Sequence, residues 1–308
     1  MQNLPKSRAV QIEIFRNSRH AATKSKVLLM PRWFSGELIG TFLLVFFGCG
    51  SVATAVALDV PVGLFQVAIV WGLGLSAAIF VTAKASGAHL NPAITLAFAF
   101  VRDFPKNRIP GYLFAQFLGA FAAAAMVYAL FGGAIARFEQ VNGIERGGAG
   151  SEASAMIFGE YFPNPGAKPL TEETRQTVPH WRAALAECFG TALLALAIFG
   201  FTAKENENGP GPMTPLAIGF TLTTLICVFA PLTMAGFNPA RDLSPRLFSS
   251  LVGWDSHPFQ VNGIGWLTVY IISPCVGAVL GASIADAVYR PFTQKAAADA
   301  DEVAKQPA

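Results

Sequence analysis

The stretch SGAHLNPAITLAFAFV, residues 86–101, decides how the chain folds, because its core returns in AGFNPARDLSPRLFSSLV, residues 235–252. Each opens with polar, Gly-containing sequence, turns at Asn91-Pro92-Ala93 or Asn238-Pro239-Ala240, and continues as an apolar helix pattern. Asn is a favoured helix N-cap and Pro suits the first helical turn, so both segments start a helix at the proline. About ten residues at 1.5 Å each give roughly 15 Å, half the hydrocarbon thickness of a bilayer. The pattern predicts two half-helices.

Around them lie six apolar runs long enough to cross a bilayer: 33–57, 63–83, 110–136, 181–203, 213–234 and 264–288. The 308 residues are 53% hydrophobic and 13% charged, with a mean hydropathy of +0.47, which excludes an ordinary soluble enzyme. The net charge of +3 is too small to suggest nucleic acid. Cys49, Cys188, Cys227 and Cys275 lie in apolar runs without metal spacing and read as small buried hydrophobes. No metal, nucleotide or cofactor motif occurs, and none is expected.

Residues 1–30 are basic and read as a cytoplasmic tail, not a signal peptide, because Pro31 cuts the apolar VLLM run short. With both termini inside, fifteen Lys/Arg fall on the cytoplasmic side and seven outside. That is the orientation the positive-inside rule favours. The 44-residue connector 137–180 then lies outside, too polar to span and long enough to need a functional or packing reason. The channel domain is read as 31–290, with repeat one at 33–136, repeat two at 181–288 and a second cytoplasmic tail at 291–308.

The two halves match. GELIGTFLLVFFGCG (36–50) pairs with AECFGTALLALAIFG (186–200), which sets Glu37 over Glu187, and the Asn-Pro-Ala boxes lie 147 residues apart. Each unit has three spans, an odd number, so the second enters from the opposite face and the boxes meet at the midplane. Two helix N-termini of about +0.5 elementary charge each would then repel cations and hydronium there. The Asn91 and Asn238 side-chain amides could still donate to a neutral oxygen. The residues alone point to a passive channel for small uncharged solutes, with no catalytic role.

Two such boxes in an inverted six-span repeat resemble the aquaporin and glycerol-facilitator (major intrinsic protein) family over about 33–290. The resemblance implies an all-α membrane protein of six transmembrane helices plus two re-entrant half-helices, assembled as a homotetramer in a plasma or bacterial inner membrane. It implies a selectivity filter at Trp71, Ile226, Ala235 and Arg241, positioned by their spacing from the boxes and Pro231. Arg241 would hold a hydroxyl and Trp71 would face a carbon backbone. A water-selective filter would place His at the Ile226 position, so small polyols, glycerol above all, with water, are the expected solutes. NPARD-x-x-P-R at 238–246 and the long connector resemble the glycerol-facilitator subgroup.

Two departures stand out. Glycerol facilitators usually carry an aromatic where Ala235 stands, and Pro-Leu-like residues where Tyr270-Ile271 stand. The Trp/Ile/Ala/Arg set resembles channels that also pass neutral metalloid hydroxides and predicts a wider slot. The alternatives are a water-dominant aquaporin, a metalloid-hydroxide channel, a coupled transporter using Glu37 and Glu187, or a non-conducting scaffold. By their symmetric placement, Glu37 and Glu187 read as structural acceptors for the unwound loops. Asp242 reads as a loop holder, and His89 as a loop anchor with pH gating as its alternative.

Overall fold

The computed structural model describes residues 30–58 and 60–304, with side chains through 289. Apart from Met30, the basic tail expected over 1–30 lies outside the described residues. Among the described residues the chain is helical: α1 Arg32–Ala57, α2 Leu64–Ser86, α3 Pro92–Val101, α4 Ile109–Val141, α5 His180–Phe201, α6 Thr214–Thr233, α7 Pro239–Ser249 and α8 Ser273–Ala304. Six stretches are long and apolar enough to cross a membrane, the last being Gly265–Tyr289, which enters α8 through a π-type turn at Thr268–Ile272. α3 and α7, of ten and eleven residues, are the two half-helices.

Five of the six expected spans match within about three residues of their ends. α4 runs past 136 to Val141 because its last turn has its own anchorage. There the buried Glu139 accepts from Ser154 Oγ at 2.7 Å and from Arg146. α8 continues to Ala304, beyond the expected boundary at 290, through the Ala-rich KAAADADEVA sequence. Ala is the strongest helix former.

The inverted repeat is visible in the packing. α1 lies against α2 and α4, and α5 against α6 and α8 in the same way. The half-helices cross over: α3 docks on α8 and α7 docks on α4, so neither repeat is complete alone. The repeats also meet where α2 crosses α6, with Gly72 and Gly219 face to face. A Cβ on either would collide with the other's carbonyl oxygen, so the crossing exists because both lack one.

Large apolar side chains such as Phe65, Phe80, Phe100, Phe114, Leu130 and Phe189 cover the outside. In hydrocarbon that is the low-energy surface, whereas backbone polar groups must be satisfied internally. One expectation changes here. Cys49 is buried, but Cys188, Cys227 and Cys275 are only partly buried, since they stand toward this outer surface of their helices.

The connector folds back onto one mouth of the pore, named the outer mouth after it, and residues 151–163 are all buried. Phe158, Phe248, Trp254 and Tyr128 form an aromatic cluster beneath it. Arg146 closes the cluster, lying 4.2 Å above the Trp254 ring. Buried packing is the reason so long a connection stays ordered.

Candidate functional site: a pore built around two Asn-Pro-Ala turns

Each box begins a half-helix as the residue types require. Asn91 is extended (φ −158°, ψ 121°), and its Oδ1 accepts from the Ala93 N–H at 2.8 Å. Asn238 is extended too (φ −151°, ψ 106°), with Oδ1 accepting from the Ala240 and Arg241 N–H groups at 3.0 and 3.2 Å. Each amide then reaches across to the other repeat. Asn91 Nδ2 donates to the Phe237 carbonyl and Asn238 Nδ2 to the Leu90 carbonyl, both at 2.8 Å. An amide nitrogen has two hydrogens, so one N–H on each Asn remains for the pore that both residues line.

The unwound segments before the boxes leave N–H groups that no helix satisfies, and the two symmetric glutamates collect them. Glu37 Oε1 accepts from the His89 N–H at 3.0 Å, and its Oε2 from the Leu90 N–H and Gln116 Nε2, both at 2.8 Å. Glu187 Oε1 accepts from Thr233 Oγ1 at 2.6 Å and the Gly236 N–H at 3.0 Å, and its Oε2 from the Phe237 N–H at 2.7 Å. Neither carboxylate lines the pore cavity. Both carboxylates are thus taken up by loop and side-chain donors.

His89 is fixed beside the first box. Its ring stacks on Phe98, 4.4 Å between centroids, and Nδ1 lies 3.2 Å from Thr95 Oγ1. Tyr270, where glycerol facilitators usually have a smaller side chain, stays out of the pore. It is buried behind Gly236 and donates to the Thr233 carbonyl at 3.1 Å.

Two cavities lie end to end. The inner one, of about 280 Å³, runs past both boxes to Thr202, Thr214 and Pro215. The outer one, of about 270 Å³, is a vestibule between the start of α2, the end of α6 and the connector. The residues bordering both are Trp71, Ile226, Met234 and Arg241, so the neck of the pore lies among them. Three of these are residues expected at the filter. The fourth expected residue, Ala235, borders only the inner cavity.

Arg241 reaches the neck with one hand paired to the connector. Its guanidinium lies 4.1 Å above the Trp71 ring, and Nη2 pairs with Glu160 Oε1 at 2.7 Å. Nη1 is buried and has no protein acceptor. Asp242 stands behind, taking Nε and Nη2 of Arg246 at 3.0 and 2.7 Å and the Glu160 N–H at 2.8 Å. Arg246 in turn donates to the Glu160 and Pro258 carbonyls. The connector is thereby pinned to α7 at residue 160, and Glu160 becomes part of the site.

Sequence reasoning missed Glu160 and Met234. Glu160 sits in a polar connector with no periodicity, and only the fold brings it to Arg241. Met234 did carry a signal: a helix that ends at a left-handed residue normally has Gly there. α6 ends on Met234 at φ 64°, ψ 0°.

Six spans, two half-helices meeting at their N-termini and two cavities that share four lining residues define a multi-pass membrane channel. The major intrinsic protein profile matches residues 24–285, and the chain belongs to that family. It is 39% identical to the glycerol uptake facilitator protein of Pseudomonas aeruginosa, over 80% of this chain and 84% of that one. It is 37% identical to the propanediol uptake facilitator PduF of Salmonella typhimurium, over 84% and 92% respectively. Among solved structures it resembles the aquaglyceroporin from Plasmodium falciparum, with a TM-score of 0.71, 26% identity and coverage of 85% of this chain and 98% of that one.

Proposed function

We propose that the protein is a passive channel for glycerol and related small polyols, with water, and that it keeps protons and ions out. The observation that carries this reading is Arg241, a permanently charged donor group that borders both cavities at the neck between them. A polyol satisfies that donor with a hydroxyl while its carbon edge lies against Trp71 and Ile226. Farther in, its oxygens accept from the remaining N–H groups of Asn91 and Asn238. The half-helix N-termini meeting there oppose a cation. Relatives named for glycerol and propanediol uptake support the same solute class.

In this reading Glu37, Glu187 and Asp242 position the loops and do not touch the solute, while His89 anchors its loop and also borders the inner cavity. Both termini face the cytoplasm, in a bacterial inner or plasma membrane. The channel assembles as a homotetramer through α1, α2, α5 and α6. The aliphatic Ile226 and Ala235 side chains also leave room for neutral metalloid hydroxides, which arsenous acid uptake would reveal.

Stopped-flow light scattering on proteoliposomes tests the reading. Vesicles shrunk in sucrose and then exposed to glycerol should re-swell much faster than empty liposomes. Fast water flux with re-swelling no quicker than the control would make the protein a water channel, and uptake that follows membrane potential would make it a coupled transporter.

A further inference from the structure

We infer that Met234 is the side chain that sets the width of the neck, taking the wall position that Ala235 leaves open. The inference rests on the filter reading above and adds to it the residue that discriminates among polyols by size. Three independent observations carry it. First, Met234 joins Trp71, Ile226 and Arg241 in bordering both cavities, whereas Ala235 borders one. Second, Met234 occupies a left-handed C-cap, φ 64°, with its N–H bonded to the Ala230 carbonyl at 2.9 Å. Glycine takes that conformation without steric cost, so a large side chain there is tolerated for what it does. Third, the side chain is aimed: Sδ accepts from the Tyr161 N–H at 3.3 Å, which holds the thioether against the connector at the neck.

The chemistry follows from the groups present. A thioether is a weak acceptor and no donor, so Met234 adds an apolar wall and leaves Arg241 as the donor edge. The slot is then greasy on the sides of Trp71, Ile226 and Met234 and polar on one edge. Straight-chain polyols have that cross-section, with carbons on one side and hydroxyls on the other. Met is unbranched with three rotatable bonds, so this wall adapts where an aromatic ring would be rigid. The neighbouring residue supports the pair from the same connector: Glu160 fixes Arg241 and Tyr161 fixes Met234. Two adjacent connector residues thus hold two walls of one slot.

Re-swelling of proteoliposomes in glycerol, erythritol and ribitol tests this, with three, four and five carbons in the solute. Met234→Gly relieves the left-handed backbone, and Met234→Ala is the second variant. A monodisperse size-exclusion profile and an unchanged thermal melt in detergent verify that each is folded. Either should raise the ribitol-to-glycerol rate ratio by about tenfold, the discrimination a few methylene groups of pocket wall supply. Trp71→Ala, which widens the neck from another wall, is the companion measurement. If Trp71→Ala admits ribitol while both Met234 variants keep the original ratio, the filter stands and Met234 is not part of it. If none of the three variants changes the ratio, the filter reading itself fails, and the inference about Met234 with it.

Discussion

Replacing Glu187 with alanine removes the acceptor for three donors at once: Thr233 Oγ1, the Gly236 N–H and the Phe237 N–H. These groups lie in the interior, where Glu187 itself has no exposed surface. Each orphaned donor costs about 1–3 kcal/mol, and bonds to a charged acceptor lie toward the upper end. The Thr233 hydroxyl can rotate to a neighbouring carbonyl, so the two backbone groups dominate and the loss is about 3–6 kcal/mol. Against a net stability of about 5–15 kcal/mol, that brings the variant close to unfolding. Glu187→Gln retains one acceptor oxygen but turns an NH₂ toward the donors, and should fall in between. Glu37 collects its three donors in the same way, so Glu37→Ala should cost a similar amount. Thermal melts in detergent, followed by tryptophan fluorescence, measure the loss, and proteoliposome flux shows whether the folded fraction still conducts. The reasoning is refuted if either alanine variant stays within about 1 kcal/mol of the original, the range of an ordinary surface change. It is also refuted if flux in the original depends on membrane potential and Glu187→Gln abolishes that dependence.

Arg241→Val should leave the buried Glu160 carboxylate without its partner and let cations leak, read with a pH-sensitive dye trapped in the vesicles; Arg241→Val with Glu160→Gln should leak less than the single variant. Gly72→Ala drives a methyl group into the Gly219 carbonyl across the α2–α6 crossing and should cost about 1–3 kcal/mol in the same melts. A Gly72→Ala protein of unchanged stability would mean the helices can separate without penalty. Burial pushes the Glu152 carboxyl up, but His257 and the Leu170 N–H outweigh it and hold it below the ordinary value of 4.5. A lowered folded-state value stabilises the protein above the ordinary value, and the contribution disappears as pH falls through the lowered one. The connector should therefore loosen in acid, visible as faster hydrogen exchange over 151–163, and Glu152→Gln should remove that dependence.

The boxes were legible because their information is local. Asn91 and Asn238 are N-caps, Pro92 and Pro239 stand in the first turn, and both facts follow from backbone chemistry within four residues. The symmetric glutamates were legible because a duplicated sequence exposes what both copies keep. The neck was only partly so. Trp71, Ile226 and Arg241, the positions that the family resemblance implies, lie on regular helices, where position in sequence converts to position in space. Ala235 lies in unwound backbone, where residues 234, 235 and 237 all have positive φ. Such a chain has no fixed period, so counting back from Asn238 cannot say which side chain faces the neck. Glu160 is harder still, since its partner lies 81 positions away and nothing about an isolated glutamate in a polar loop predicts an arginine. The connector's burial had one clue, its length, and that clue says only that a reason exists.

The charges along the pore divide the work between two places. In the outer half Arg241 faces Glu160 at 2.7 Å, and Arg246 faces Asp242 at 2.7 Å. Paired charges at that distance largely cancel a few ångströms away, so the neck exerts little net field on a passing solute. What it offers is shape and one directed donor. At the midplane the balance differs, because the Asn91 and Asn238 caps mark two helix starts whose partial positive charges, about +0.5 each, point at one another. The carboxylates nearest those starts, Glu37 and Glu187, are occupied by N–H and hydroxyl donors and stand outside the pore lining. In the proposed channel, size selection belongs to the neck, while charge exclusion rests on the centre and on the balance of the neck's ion pair. Widening the neck should admit longer polyols without a proton leak. Arg241→Val acts on both size and charge, since it removes one wall of the slot and leaves Glu160 without its partner.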